Sequence, residues 1–250
     1  MNLIIADQSD NRHFIMEKSL TILLTSLLIW SCNTRQSDTS ADSSETSISV
    51  PPTNFTNDYL ERLNWLSQPR SATVKEGILA VTVDKSTDFF NNPEDGAIST
   101  TAPLLYEKIE GDFVVKALVR PDFEEVWNAV SLMVYMDSLH WIKFAFENSD
   151  ATGPSVVTVV TKGVSDDANG AIMSGQKEVW LKLIRKNNNY SMLWSLDDKE
   201  YKMARLTSMP AADAVKVGIE AQCPVGESAT HEILYYHSER KTVQDLRKGE

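Results

Sequence analysis

The sequence predicts an all-β fold, an antiparallel two-sheet sandwich of the jelly-roll type. Three observations predict it. Many short stretches are rich in β-branched and aromatic residues, turn residues separate them, and no long stretch holds a helical period. Several of these stretches are apolar at both alternating sets of positions. That is the pattern of two sheets packed face to face with few wetted faces.

The chain opens with residues 1–15, which sit awkwardly before an export signal; Met16, followed by Lys18, is the better start. Residues 16–31 read "MEKSLTILLTSLLIWS", a cation and then an apolar run. The run is shorter than the roughly 20 residues of a membrane span and suits the apolar region of a signal peptide. It ends "LLIWSC", which resembles the lipobox of bacterial lipoproteins and marks Cys32 for lipidation, although Trp30 is an unusual occupant of its position. An ordinary secretory signal or a short buried helix are the alternatives. Residues 33–53 are dominated by Ser, Thr, Asp and Glu and end in a Pro pair. Such a segment buries too little apolar area to offset its ordering entropy, so residues 32–54 are expected to form a disordered tether.

Composition narrows the function. The 250 residues carry 24 Lys and Arg against 35 Asp and Glu, a net charge of −11. Two basic and three acidic side chains precede Cys32, so the remainder keeps a net charge of −10. No basic stripe is present, which argues against nucleic acid, and no polybasic cluster would hold a membrane surface. The expected membrane attachment is through the lipid alone. Asn33 after Cys32 is not the Asp that marks inner-membrane retention in Gram-negative lipoproteins, which favours the outer membrane or periplasmic face of the cell envelope. Cys223, in "IEAQCPVG", has no partner once Cys32 carries lipid and reads as a small buried residue, not a nucleophile.

Residues 55–240 are expected to form one domain, with 241–250 as a C-terminal tail. Its predicted strands are residues 77–83, 112–120, 129–137, 140–147, 155–162, 179–186, 190–196, 215–222 and 231–237, with turns such as Asp137-Ser138 and Asp197-Asp198 between them. Five motifs fall in a telling order: "TDFFNN" (87–92), "GDF" (111–113), "HWIKFAFE" (140–147), "VVTKGVSDDANG" (159–170) and "VWLKLIRKNNNYSMLWSLDDKEY" (179–201). Together they resemble domain-of-unknown-function family 1349, regulation of enolase protein-like, over about residues 60–238. The chain departs from the family pattern at Phe90, where the family tends to have Trp, and at Asp198, where it tends to have Gly. A Gly would accept positive φ there more cheaply. The resemblance implies a concanavalin A-like jelly roll of the lectin/glucanase type. Fold relatives include lectins, glycan-binding modules and glycoside hydrolases, but function has to be argued from the site.

The candidate site starts from "HWIKFAFE". Alternation puts Ile142, Phe144 and Phe146 on one face with His140, and Trp141, Lys143, Ala145 and Glu147 on the other. The second set aligns an aromatic, a cation and an acid. That is what a polar ligand needs: Trp141 to stack, Lys143 and Glu147 to hydrogen-bond. The bland reading is a Lys143–Glu147 charge pair under a Trp, serving the fold. "SDDANG" (165–170) allows three readings: a structural calcium loop using Asp166, Asp167 and Asn169, a site rim at Ser165 and Asp166, or a self-capping turn. Asp88 is the third polar residue expected near Trp141. Arg185 shares a face with Leu181 and Leu183 and could pair with Glu147 or Asp166.

No other chemistry stands out. The histidines His13, His140, His231 and His237 have no zinc spacing, and there is no phosphate loop or recognisable Ser or Cys nucleophile. The expected cofactor set is empty, calcium excepted. The expected function is binding of carbohydrate or a similar polar small molecule on one sheet. One alternative is a glycoside hydrolase or lyase using Glu147 and Asp166. Another is a non-catalytic interaction module, which would bury Trp141 and Glu147 with no groove above them.

Overall fold

A computed structural model describes residues 54–250. The expected signal segment, Cys32 and all of the tether except Asn54 lie outside the described residues.

Two seven-stranded antiparallel sheets make up the described chain, with a two-stranded ribbon laid against one of them. The first sheet runs in space β1 (Asn64–Trp65), β6 (Leu104–Glu110), β15 (Ala214–Gln222), β8 (Ala129–Asp137), β9 (His140–Ser149), β10 (Gly153–Lys162), β11 (Val164–Ile172). The second runs β14 (Lys202–Ser208), β13 (Asn189–Ser195), β12 (Val179–Lys186), β7 (Phe113–Arg120), β16 (Ser228–Glu239), β3 (Ile78–Asp84), β2 (Ser71–Lys75). The ribbon pairs β4 (Phe89–Asn91) with β5 (Ile98–Thr100), and one short helix, α1 (Asn57–Leu60), precedes the strands. Strand β15 inserts between β6 and β8, and β16 between β7 and β3, the long crossovers of a jelly roll.

The main core lies between the sheets. Val130, Leu132 and Val134 of β8 and Ile142, Phe144 and Phe146 of β9 meet Val115 and Ala117 of β7 and Leu181 and Leu183 of β12. Each large apolar side chain fully buried there contributes about 1.5–3 kcal/mol. The alternation read from "HWIKFAFE" therefore holds for its apolar set. His140 stands apart, half-buried, with Nδ1 2.9 Å from Asp137 Oδ1.

A second core forms on the opposite face of the first sheet. There Met133, Trp141, Ala145, Val157 and Val159, together with Leu104 of β6 in the same sheet, are covered by Phe89 and Ala102 from residues 89–102. This corrects the expectation for Trp141. Its exposure is 0%, Phe89 packs edge-on at 5.8 Å, and the indole Nε1 has no hydrogen-bond partner. Trp141 holds the covering segment to the sheet and offers no surface to a ligand.

The "SDDANG" stretch is also corrected. The chain turns earlier, at Gly163, which sits at φ 82 and whose N–H donates to Leu139 O at 2.7 Å. Residues 164–172 are the edge strand β11, with Asp166 opposite Val160 and Asp167 opposite Val159. Charged side chains on an edge strand discourage pairing with another chain. The turn at Asp197-Asp198 does form: Asp198 adopts φ 58, the region that suits Gly. It has an offsetting role, accepting two hydrogen bonds from Lys116 Nζ at 2.8 and 2.9 Å. The C-terminal tail packs on the second sheet, with Val243 buried against Ile184 and Leu193.

Replacing Trp141 with Ala is expected to cost about 3–5 kcal/mol of stability, since it empties the second core. A urea titration followed by far-UV circular dichroism checks this. A midpoint within error of the parent would place Trp141 outside the core.

Candidate functional site

The outer face of the first sheet is built by alternation and register. Lys143 pairs across to Val159, and Val159 to Asp167; Glu147 pairs across to Ala129, and Ala129 to Gln222. These side chains share one face. The segment that starts at Asp88 lies over part of that face. Between the two is a cavity of about 350 Å³. Its acids are Asp88, Glu147, Asp150 and Asp167, and its cation is Lys143. Phe90 and Trp127 supply its aromatic surface, and Gln222 and Asn92 its amides.

Lys143 is the hub. It is 2% exposed and donates to Asp88 Oδ1 at 3.2 Å and to Gln222 Oε1 at 2.9 Å. Burial alone would pull its ammonium down. The carboxylates of Asp88, Glu220 and Glu147 outweigh that and hold it above the usual lysine range. Gln222 carries the link onward, its Nε2 donating to Trp127 O at 2.8 Å.

Glu147 is 7% exposed and makes no hydrogen bond or ion pair among the described residues. Burial pushes its carboxyl up to about 8. Lys143 opposes the rise; Asp167, Asp88 and Glu220 add to it. Glu220, fully buried on the same face beside its register partner Ser131, is pushed up to about 7, again by burial against Lys143. Burial likewise raises Asp167, while Lys143 draws it down.

Trp127 stands at the cavity in the loop before β8. It is 40% exposed and adopts φ 63, a conformation bulky side chains rarely take. Its backbone is held at both ends, N–H to Asn148 O at 2.8 Å and carbonyl to Gln222. Strain of this kind persists only where the surroundings over-determine it, and it gathers at ligand clamps.

Of the residues proposed from sequence, Asp88, Lys143 and Glu147 line the cavity. Trp141 does not, being sealed under Phe89. Ser165 is a clasp: its hydroxyl accepts the Asn91 N–H at 2.8 Å and meets Thr161 Oγ1 at 2.8 Å, tying the ribbon to β11. Asp166 points off the cavity face and pairs with Arg205. Arg185 belongs to the second sheet and pairs with neither Glu147 nor Asp166. Its guanidinium donates to Asn187 O at 2.8 Å and to Ala212 O, with the Tyr190 ring 6.0 Å away.

Residues missed from sequence are Trp127, Asp150, Asp167 and Gln222. Two were within reach. Had "SDDANG" been read as a strand, alternation from Ser165 selects Asp167. The same counting along "VKVGIEAQ" gives Glu220 and Gln222. Trp127 lies in a loop and carries no periodic signal.

The expected calcium ligands Asp166, Asp167 and Asn169 lie on strand β11 and not in a loop. Asp166 and Asp167 are consecutive strand residues and point to opposite faces. Among the described residues, no three His, Cys, Asp or Glu side chains converge to hold a metal ion.

Residues 65–239 match the family model described as protein of unknown function, DUF1349. The chain belongs to that family. The DUF1349 chain is 26% identical over 168 residues to Regulation of enolase protein 1 of Saccharomyces cerevisiae, covering 67% of this chain and 84% of the yeast protein. It is similar to the crystal structure of a functionally unknown protein from Saccharomyces cerevisiae, with a TM-score of 0.68 and 24% identity over 74% of this chain and 99% of that one. The GH43 BlXynB protein from Bacillus licheniformis aligns with a TM-score of 0.56 and 13% identity, covering 72% of this chain and 37% of that one. These likenesses establish the β-sandwich fold.

Two outcomes are expected of this DUF1349 site. Lys143→Met removes one partner of a buried pair and is expected to cost about 3–5 kcal/mol, with part recovered in Lys143→Met/Asp88→Asn. Chemical denaturation of the two variants checks it; equal loss in both would show that Asp88 is not the partner that matters. The second concerns pH. The folded protein holds a Glu147 proton up to about 8, whereas an ordinary glutamate releases it at 4.5. Between those values the folded state binds more protons than the unfolded chain, so stability falls as pH rises. Glu147→Gln is expected to flatten that fall, seen as a smaller drop in urea midpoint between about pH 5 and about pH 8. An unchanged slope would mean Glu147 titrates normally.

Proposed function

We propose that this protein binds a carbohydrate in the cavity between the outer face of the first sheet and the segment beginning at Asp88. The observation that carries the reading is Trp127. An exposed indole held at φ 63 stands beside a cavity that it lines together with Phe90 and a set of acids and amides. An aromatic plane beside buried hydrogen-bonding groups suits a sugar ring, which has an apolar face and a hydroxyl rim. Trp127 and Phe90 form the stacking surface in place of Trp141. Asp88, Glu147 and Asp167 accept hydrogen bonds, and Gln222 and Lys143 hold the floor in place. A pure interaction module would bury Trp141 and Glu147 beneath a filled surface; both are buried here, but a cavity opens over Glu147.

The sequence of residues 16–32 supports an exported protein carried on a lipid at Cys32, in the cell envelope. An envelope location would put the cavity among extracellular and wall glycans. Metabolic labelling with a palmitate analogue, compared with Cys32→Ser, tests the anchor; label retained in the variant would rule it out.

A second reading is favoured by one observation. A carboxyl held protonated to about 8 in a cavity is what a glycosidic general acid requires. Asp166 cannot be its partner, since it faces Arg205; Asp88, Asp150 and Asp167 are the other acids on the cavity side. Turnover of aryl glycosides that disappears in Glu147→Gln would establish hydrolysis.

Binding is tested on a glycan array with the full chain. Trp127→Ala is expected to weaken binding about tenfold, or ~1.4 kcal/mol. Its urea midpoint is expected to stay near that of the parent, because an exposed side chain is removed while the Cβ that strains positive φ is retained. Undiminished binding by the variant would remove Trp127 from the site.

A further inference from the structure

We propose that the ligand of this cavity carries a primary ammonium group and that Glu147 receives it, which makes the preferred carbohydrate an amino sugar with its amine free. The inference rests on the carbohydrate reading above and adds the charge of the ligand.

The charge balance of the cavity is the first argument. Four carboxyl side chains line it against one lysine. That lysine is already committed: two of its three N–H donors go to Asp88 and Gln222. Arg205, on the far side of β11, is taken by Asp166. An acidic sugar entering here would meet an excess of negative charge, with no free cation among the lining residues to receive it.

Glu147 is the second and independent argument. It is more than nine-tenths buried, it lines the cavity, and it makes no hydrogen bond or ion pair among the described residues. A buried carboxyl left without a partner is costly, and its missing partner is a donor arriving from the cavity. A sugar hydroxyl could donate, but it would leave the negative charge of Asp88 and Asp167 beside Glu147 uncompensated. An ammonium supplies the donor and offsets that charge together, and it lets Glu147 ionise as its partner. Trp127 and Phe90 line the same cavity, and aromatic rings attract cations.

A proton signature follows. The groups facing Glu147 are Lys143 on its own strand, Asp167 on β11, Glu220 on β15 and Asp88 from the covering segment. In the empty cavity they and burial keep its proton on up to about 8. An arriving ammonium favours the carboxylate, so binding below that pH releases a proton to solvent.

The test is isothermal titration calorimetry of the full chain at about pH 5.5, where the sugar amine enters already charged and Glu147 still holds its proton, in two buffers of different ionisation enthalpy. The probes are a β-1,4-linked glucosamine oligomer, its N-acetylated counterpart, an oligogalacturonate of equal length, and spermidine. The expected result is that the glucosamine oligomer binds about tenfold tighter than the acetylated form. Its enthalpy should depend on buffer in the sense of proton release, and both effects should vanish in Glu147→Gln, whose fold is verified by its denaturation midpoint. If the acetylated oligomer binds equally or better, or the galacturonate binds, the ammonium proposal falls and the carbohydrate reading stands. If spermidine alone binds, the ammonium site stands and the carbohydrate reading falls. If a folded protein binds none of them, both fall. Unchanged glucosamine binding by Glu147→Gln would overturn the role of Glu147.

Discussion

A lysine ammonium stays charged inside a β-sandwich only if carboxylates surround it, and the candidate site is organised by that requirement at Lys143. Its burial draws Asp88 down onto the sheet from the covering segment and Gln222 across from β15. Through Gln222 the same hub fixes the backbone of Trp127, the exposed aromatic of the cavity. The Phe89–Trp141 contact and the Asn91–Ser165 hydrogen bond then seal the covering segment to the neighbouring cross-strand row, two residues from Lys143. Apolar packing and a buried charge are thus coupled. The second core positions Asp88, and Asp88 compensates the lysine around which that core closes.

The cost of this arrangement falls on the carboxyls left over. One cation cannot satisfy Asp88, Glu147 and Glu220 at once, so the two most buried acids keep their protons to about 8 and about 7. Their raised affinity for protons is the physical mark of a site under-supplied with positive charge. A region that needed only to fold would gain by replacing such groups with apolar ones of similar volume. Keeping them beside an open cavity makes sense if something that enters it supplies the missing partner.

Strand content and face assignment were legible wherever the apolar alternation was strong. Ile142, Phe144 and Phe146 were placed in the core from spacing alone, and Lys143 and Glu147 opposite them. Weakly apolar strands escaped. Strand β6 has its apolar pattern interrupted by Glu107 and Lys108, and β11 buries only Ser165 and is held by backbone pairing more than by side-chain burial. The miss at β11 had a direct consequence. Read as a turn, it suggested Asp166; paired as a strand, it turns Asp167 to the cavity and Asp166 to Arg205, since neighbouring strand residues face opposite ways.

The sequence by itself determined the sandwich, the family, and which face of β9 carries polar groups, because these follow from local periodicity and from motifs in order along the chain. Only the tertiary structure decided what covers that face. Residues 89–102 fold back over Trp141 and leave Glu147 open to a cavity, and nothing in the alternation of β9 distinguishes those two positions. The aromatic that ends up exposed, Trp127, comes from a loop whose backbone is set by Asn148 and Gln222, residues 21 and 95 positions further along the chain. Burial of a side chain depends on such distant neighbours, and periodicity reports only which way the side chain points.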